Sequence, residues 1–293
     1  MHHWEGEALG ADATIALAGL SSREADSLFA AAVAEIARLE KLFSLYDRSS
    51  ALSRLNATGI LVDPAPEFLE MMEVSRRLNA LSDGAFDPTI QPLWLLYAEC
   101  YGDVVAPRAP TPEELAAKRA LIGFLQTEIA PSRITLKPGM AMTLNGVAQG
   151  YITDRVSEIL RAGGAAHALV NLGEHRAIGM HPELRPWQIG IQHPAKANKI
   201  VAIEDLFDNA LSTSGGYGSR FGNSSLSHLL DARDGRSAAL YQSLSVVHQN
   251  ATMADGLSSA FSFMSEAAIT AQLRGVPGTR VFLVRADGSH ARL

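Results

Sequence analysis

The stretch "RITLKPGMAMTLNGVAQGYITDRVSEILRAGGAAHALVNLGEHRAIG" (133–179) constrains the fold more tightly than any other part of the chain. Its patterning predicts a strand, a turn at Pro138-Gly139, a second strand, a glycine-rich bend and a helix. Val156, Ile159 and Leu160 recur at helical spacing and should face a core, and Gly163-Gly164 should stop the helix. Two short strands are expected next, over 167–179. The strand-to-helix step recurs in "SLSVVHQNATMADGLSSAFSFM" (243–264).

The flanks agree with this pattern. "ATIALAGL" (13–20) reads as a strand, with Ser21 and Ser22 as candidate caps of a helix. That helix should place Phe29, Ala32, Val33, Ile36, Leu39 and Phe43 on its core face. A second helix fits 67–82, with Phe68, Met71, Met72, Ser75 and Leu78 along one side and Gly84 ending it. Pro88 and Pro92 break "GAFDPTIQPLWLLY" (84–97), so its first half should be loop or extended chain. "APRAPTPEEL" (106–115) reads as a surface loop from which Thr111-Pro112-Glu113-Glu114 starts a short helix. "PWQIGIQHP" (186–194) should be a strand, and "VFLVRADGSHARL" (281–293) a hairpin about Asp287-Gly288. Strands and helices mix without strict alternation and no fixed period repeats, which predicts an α+β fold, read as one domain over 1–293.

Composition excludes several function classes. With 47% hydrophobic residues in 293, the chain can bury a large core. Its formal net charge of -6 argues against nucleic-acid binding. The lone Cys100 excludes an internal disulfide framework and any multi-thiolate metal site, and beside Tyr97 and Tyr101 it reads as a packed small hydrophobe. No apolar run is long enough for a transmembrane helix. The start "MHHWEGEALGADATIAL" lacks a signal-peptide pattern, which predicts a cytoplasmic chain as written and leaves the compartment open if a leader was removed.

Four segments could carry chemistry, and each has a plain structural alternative. In "NGVAQGYITD", Asn145, Gly146 and Gly150 precede a helix whose exposed amides suit an anion, though glycine bends before helices are common. "STSGGYGSRF" (212–221) could wrap a phosphate or a flavin ring, or be a flexible turn. In "NATMADGLSSAFSFM", Asp255 and Ser259 stand four apart on one helical face. A carboxylate and a hydroxyl so stacked can hold magnesium, or be a helix-capping Asp and a packed serine. "HLLDARDG" (228–235) gathers His228, Asp231, Arg233 and Asp234 in one loop, which alone is solvated loop chemistry.

Taken together and in order, seven blocks closely resemble the ApbE family of FAD:protein FMN transferases. They are "LFSLYDRSSALSRLN" (42–56), "GAFDPTIQPLW" (84–94), "NGVAQGYITDRV" (145–156), "ALVNLGE" (168–174), "STSGGY" (212–217), "SHLLDARDG" (227–235) and "ATMADGLSSAF" (251–261). The resemblance implies a T-fold-related α+β architecture that binds FAD and magnesium. The implied reaction cleaves the FAD pyrophosphate and places FMN on a threonine or serine of a partner flavoprotein, in a Ser/Thr-Gly-Ala-Ser/Thr type motif, with AMP leaving. It implies a cofactor-binding set of Tyr46, Asp87, Asn145, Gly146, Glu174, Ser214, Gly215, Tyr217 and His228, although the shortened "VNLGE" leaves Glu174 without a clean family position. It implies that the Ala148 carbonyl, Asp255 and Ser259 hold the metal. His228, with Asp255 as the other candidate, would take the proton of the attacking hydroxyl. Asp231 and Arg233 would hold the loop shape, and Asp234-Gly235 would be its turn. Thr143, Asn145 and Gln149 stand where the family carries Asp, Gly and Lys. These three keep open a non-catalytic flavin carrier, while an FAD pyrophosphatase using water as acceptor stays open because the same site would serve both reactions.

Overall fold

The computed structural model describes residues 1–102, 106–196, 199–216, 220–224 and 226–293. In chain order the strands are β1 (His2–Ala8), β2 (Ala11–Ala18), β3 (Ile60–Val62), β4 (Glu128–Ala130), β5 (Arg133–Thr135), β6 (His167–Asn171), β7 (His175–Ile178), β8 (Trp187–Gln192), β9 (Ile200–Leu206), β10 (Ala210–Gly215), β11 (Tyr241–His248), β12 (Arg280–Arg285) and β13 (His290–Arg292). The helices are α1 (Ser22–Phe43), α2 (Ala51–Thr58), α3 (Pro66–Leu81), α4 (Gln91–Tyr101), α5 (Pro112–Arg119), α6 (Ala148–Ala162), α7 (Ala251–Phe261) and α8 (Glu266–Leu273).

The body is an eight-stranded sheet, ordered β1-β2-β6-β7-β10-β11-β12-β13. Each neighbouring pair in it is antiparallel. Helices on one side of an antiparallel sheet are the signature of an α+β fold. Alternation along the strands sorts the side chains to two faces. On one face Ile15, Val170, Val246 and Leu283 pack with Leu39 of α1, Val156 of α6 and Leu257 of α7. On the other, Ala177, Leu211, Val247 and Phe282 pack with Trp187, Ile189 and Leu206 of the β8–β9 hairpin. A third small core joins Leu93, Leu96, Tyr97 and Cys100 of α4 to Phe221 and Leu230.

Capping chemistry set several boundaries where the sequence placed them. Ser21 and Glu24 form a reciprocal capping box at α1, and Thr111 and Glu114 form one at α5. Gly84, at φ 78°, folds back so that its N–H donates to the Asn79 carbonyl at 2.8 Å just beyond α3.

Two expectations need correction, and one strand was missed. Val33 is exposed, because α1 presents a narrower buried stripe than the run of apolar residues suggested. The second strand expected after Pro138-Gly139 does not form. Residues 141–144 run without a ladder, because the Asn56 side chain takes the strand's role: its Nδ2 donates to the Met142 carbonyl at 2.8 Å and its Oδ1 accepts the Met142 N–H at 2.7 Å. β1 was not read from the sequence, since an edge strand exposed along most of its length lacks apolar alternation.

Candidate active site

Beneath the helical face of the sheet, a cavity of about 470 Å³ opens between the 84–91 loop, the start of α6, the end of β10, the middle of α7 and the 228–230 loop. Tyr46, Phe86, Trp94 and Phe263 give it an aromatic lining, with Phe86 and Ser259 both against Gly146. Its polar end holds Asn145, Glu174, Ser214, Asp255 and Ser259. The lining contains no lysine or arginine among the described residues.

The polar end is built by a close crossing of α6 and α7. A Cβ at Gly150 would stand 2.3 Å from the Ala251 carbonyl oxygen and 2.8 Å from Asp255 Cβ, so only glycine admits the crossing. The Gly150 N–H then donates to Asp255 Oδ2 at 3.0 Å. Asp255 is buried, and burial is the main reason its carboxyl is raised to about 7, with the nearby Asp154 charge adding to it. Ser259 stands one turn further along α7, as the i, i+4 spacing predicted, and its hydroxyl lies 3.2 Å from that of Ser214. Ser214 also meets Ser258 at 2.7 Å. A Cβ on Gly146 would come within 3.3 Å of Ser259 Oγ, so the bend before α6 brings backbone directly onto this hydroxyl pair.

Glu174 lies at the same end. It is buried, and its Oε2 has no hydrogen-bond partner. Burial first, and then the Asp255 charge, push its carboxyl well above the usual range, although Ser212 and the Thr213 amide oppose the shift. Two acids thus share one buried end of a cavity.

The remaining sequence candidates divide clearly. Tyr46, 85% exposed, stands at the mouth, and Gly215 and His228 line the wall. Asp87 lines the cavity too, yet its oxygens serve the wall itself. Oδ1 accepts from the Thr89 N–H at 2.7 Å and hydroxyl at 2.5 Å, and Oδ2 accepts from the Phe124 N–H at 2.9 Å. Ala148, buried in the first turn of α6, sits between the lining residues Gly146 and Gln149 without lining the cavity itself. Tyr217 lies outside the described residues. Asp231 holds its loop as expected, with its carboxylate accepting from the Arg233 N–H at 2.9 Å and from the guanidinium at 2.7 Å. Gly235, at φ 77°, makes the turn.

Of the three residues that depart from the family pattern, Thr143 and Asn145 knit the bend. Thr143 N–H donates to the Pro88 carbonyl at 2.8 Å, and Asn145 N–H donates to the Thr143 hydroxyl at 3.2 Å. Gln149 lies against Gly173, where a Cβ would meet its Nε2 at 2.7 Å.

Sequence reasoning missed Asp154. Its Oδ1 accepts the Ala251 N–H and its Oδ2 the Thr252 N–H, both at 2.8 Å, so it caps α7 from α6 and fixes where Asp255 stands. Arg176 lies 3.3 Å away and balances its charge. An acid inside the buried face of a helix was the available signal.

Among the described residues, no group of three or more His, Cys, Asp or Glu side chains is placed to hold a metal ion. Three acids line the cavity among the described residues, Asp87, Glu174 and Asp255, and Asp87 is committed to Thr89 and Phe124.

The sequence profile of the ApbE family matches residues 9–283. An FAD:protein FMN transferase of Vibrio cholerae is 31% identical over 234 residues, which cover 76% of this chain and 69% of its own. One from Salmonella typhimurium is 27% identical over 297 residues, covering 97% and 84%. Among solved structures, the apo form of the flavinyl transferase ApbE of Pseudomonas stutzeri superimposes with a TM-score of 0.84 at 27% identity, covering 99% of this chain and 94% of its own. The ApbE protein of Thermotoga maritima gives 0.87 at 25% identity, covering 99% and 96%.

Proposed function

The chain belongs to the ApbE family, and on that footing we propose that it is an FAD:protein FMN transferase, which moves FMN from FAD to a Ser/Thr hydroxyl of a partner flavoprotein and releases AMP. The relatives named above carry that activity in their names. The observation that carries the reading is electrostatic. Two buried acids, Asp255 and Glu174, stand at the polar end of a cavity whose described lining has no lysine or arginine, and burial favours their neutral forms. A diphosphate meets no Lys or Arg there, and a divalent cation that draws the acids into their charged forms would supply the missing positive charge.

The residues suit that cation. Asp255 offers a carboxylate and Ser259 a hydroxyl in the cavity wall, both hard oxygen donors of the kind magnesium prefers, and the family resemblance adds the carbonyl of Ala148, which is buried behind that wall beside Gln149. The unpartnered Glu174 oxygen adds negative charge beside them. When bound, magnesium neutralises the diphosphate and polarises phosphorus as a Lewis acid. Gln149, neutral where the family carries lysine, makes the dependence on that metal stricter.

The isoalloxazine ring lies against the aromatic lining, where Trp94, Phe86 and Phe263 offer apolar faces and the exposed Tyr46 a further ring. Ser214, Ser259 and Asn145 offer donors to phosphate oxygens. His228, in the wall, takes the proton from the attacking hydroxyl. The new phosphoester forms at the FMN phosphorus while its bond to the bridging oxygen breaks, and AMP leaves with that oxygen.

The test mixes the protein, FAD, magnesium and a synthetic peptide containing Ser-Gly-Ala-Thr, with covalent flavin read by in-gel fluorescence and mass. Asp255→Ala should abolish labelling, and labelling that persists at ordinary magnesium would refute the metal assignment. His228→Ala should keep FAD binding and slow transfer by roughly 10²–10⁴-fold. Release of FMN and AMP without labelled peptide would identify a pyrophosphatase instead, and FAD binding with no AMP a flavin carrier.

A further inference from the structure

Helix α4 has two working faces. Gln91, Trp94 and Leu95, spaced i, i+3 and i+4, line the cavity of the candidate active site. Leu93, Leu96, Tyr97 and Cys100 repeat that spacing on another side and form the third small core with Phe221 and Leu230. Tyr97 stacks on Phe221 with ring centroids 5.4 Å apart. Its buried hydroxyl donates to the Gly235 carbonyl at 2.8 Å, joining residues 138 positions apart.

Gly235 is the turn of a short hairpin over residues 227–238. Leu230 bridges Ser237, the Asp231 N–H donates to the Arg236 carbonyl at 2.8 Å, and the Ala238 N–H donates to the Leu229 carbonyl at 2.9 Å. The Ser237 hydroxyl closes the base on the Ser227 carbonyl at 3.0 Å. These bonds make one stiff piece, so its tip and its base move together. His228 stands at the base, in the cavity wall. The tip rests on α4 and α5. A Cβ on Gly235 would come 3.2 Å from Leu93 Cδ2 and 3.3 Å from Arg119 Cδ. The Arg119 guanidinium donates to the Arg233 carbonyl from the exposed side, and the Ala232 N–H donates to the Ala85 carbonyl at 3.2 Å. Tyr97 supplies the tie from the buried side.

A general base works only within hydrogen-bond reach of its proton, roughly 2.6–3.2 Å between heavy atoms. A misplacement of about 1 Å can cost 10²-fold in rate. The hairpin bridges outside the eight-stranded sheet, so its aim depends on what grips its tip. A buried hydroxyl on a buried carbonyl is a stricter grip than an exposed arginine, because neither group has water as an alternative partner. The same helix then sets both the cavity wall, through Trp94, and the stand of His228, through Tyr97.

We infer that Tyr97 is a positioning residue for the transfer, whose hydroxyl pins the Gly235 carbonyl to α4 and so holds the hairpin with His228 at the cavity wall. The inference rests on the transferase reading above, with His228 as the base, and the chemical step is the one given there.

The test uses the full chain with FAD, magnesium and the Ser-Gly-Ala-Thr peptide. Tyr97→Phe keeps the ring and its packing and removes only the hydroxyl. It should lower kcat by about 10-fold, while KM for the peptide and FAD affinity, read by flavin fluorescence, stay within about 2-fold of wild type. In a His228→Ala background the same change should cost less than about 2-fold, because a hairpin without its base has nothing left to aim. Arg119→Ala releases the neighbouring carbonyl from an exposed side chain and serves if Tyr97→Phe does not fold. It should lower kcat by about 3-fold, again only while His228 is present. A kcat within about 2-fold of wild type in the folded variants, or an equal loss with His228 absent, would overturn the assignment. Either result beside active wild type sinks this inference alone. Undiminished transfer by His228→Ala removes the base and this inference with it, whereas no transfer by the wild type sinks the transferase reading as well.

Discussion

Gly150→Ala should injure stability and chemistry together, because one hydrogen of Gly150 occupies the closest point between α6 and α7. The added methyl would stand 2.3 Å from the Ala251 carbonyl oxygen, where ordinary contact begins at 3.4 Å, so the helices must part by about 1 Å. The obstacle is backbone, which cannot swing aside as a side chain would. Overpacking of this kind costs roughly 1–3 kcal/mol, and rigid backbone puts it near the upper end. Stretching the 3.0 Å bond from the Gly150 N–H to Asp255 adds roughly 1 kcal/mol. Better helix propensity returns about 1 kcal/mol. The net loss is about 3 kcal/mol, or a fall in Tm of roughly 5 °C for a chain of this size. The same displacement carries Asp255 and Ser259 away from Gly146 and Ser214, and a misplacement of about 1 Å can cost 10²-fold in rate. Circular-dichroism melting and the flavin-labelling assay read the two effects. A variant that melts within about 2 °C of wild type and labels peptide at an undiminished rate would refute the account of the helix crossing.

Asp255→Asn should stabilise the metal-free protein at high pH while abolishing transfer. The folded-state carboxyl titrates at about 7 against an ordinary 3.8, so stability falls as pH rises between those values. That loss is about 4 kcal/mol above pH 7, the asparagine removes it, and in chelator the variant should melt higher than wild type at pH 8 with the gap closing toward pH 4. Asp154→Asn should lower stability by about 3 kcal/mol, because an amide cannot accept both α7 N–H groups and leaves Arg176 without its counter-charge; a change under about 1 kcal/mol in a denaturant titration would contradict this. Ser21→Ala removes the α1 capping box and should cost about 1 kcal/mol by the same titration, with FAD binding untouched.

The local features were legible in the residues. Ser21 with Glu24 and Thr111 with Glu114 announced two helix starts. The four-residue step from Asp255 to Ser259 announced one helical face, and Asp287-Gly288 announced the final hairpin. These depend on neighbours a few positions apart, whose geometry any chain of that sequence reproduces. The site as a working environment was not legible, because its properties come from residues far apart in the chain. Asp154 caps a helix that starts 97 positions later, and Asn56 replaces a strand partner 86 positions away. Asp87, expected at the flavin pocket, lines the cavity, but that its oxygens brace Thr89 and Phe124 was not legible.

By itself, then, the sequence determined the order of the elements, their caps and the family blocks, since periodicity and short-range hydrogen bonding are written in adjacent residues. Only the tertiary structure decided that Glu174 and Asp255 share one buried end of a cavity. Their meeting depends on how α7 packs on the sheet, and packing on the two faces of the sheet joins residues that no local stretch of sequence encodes.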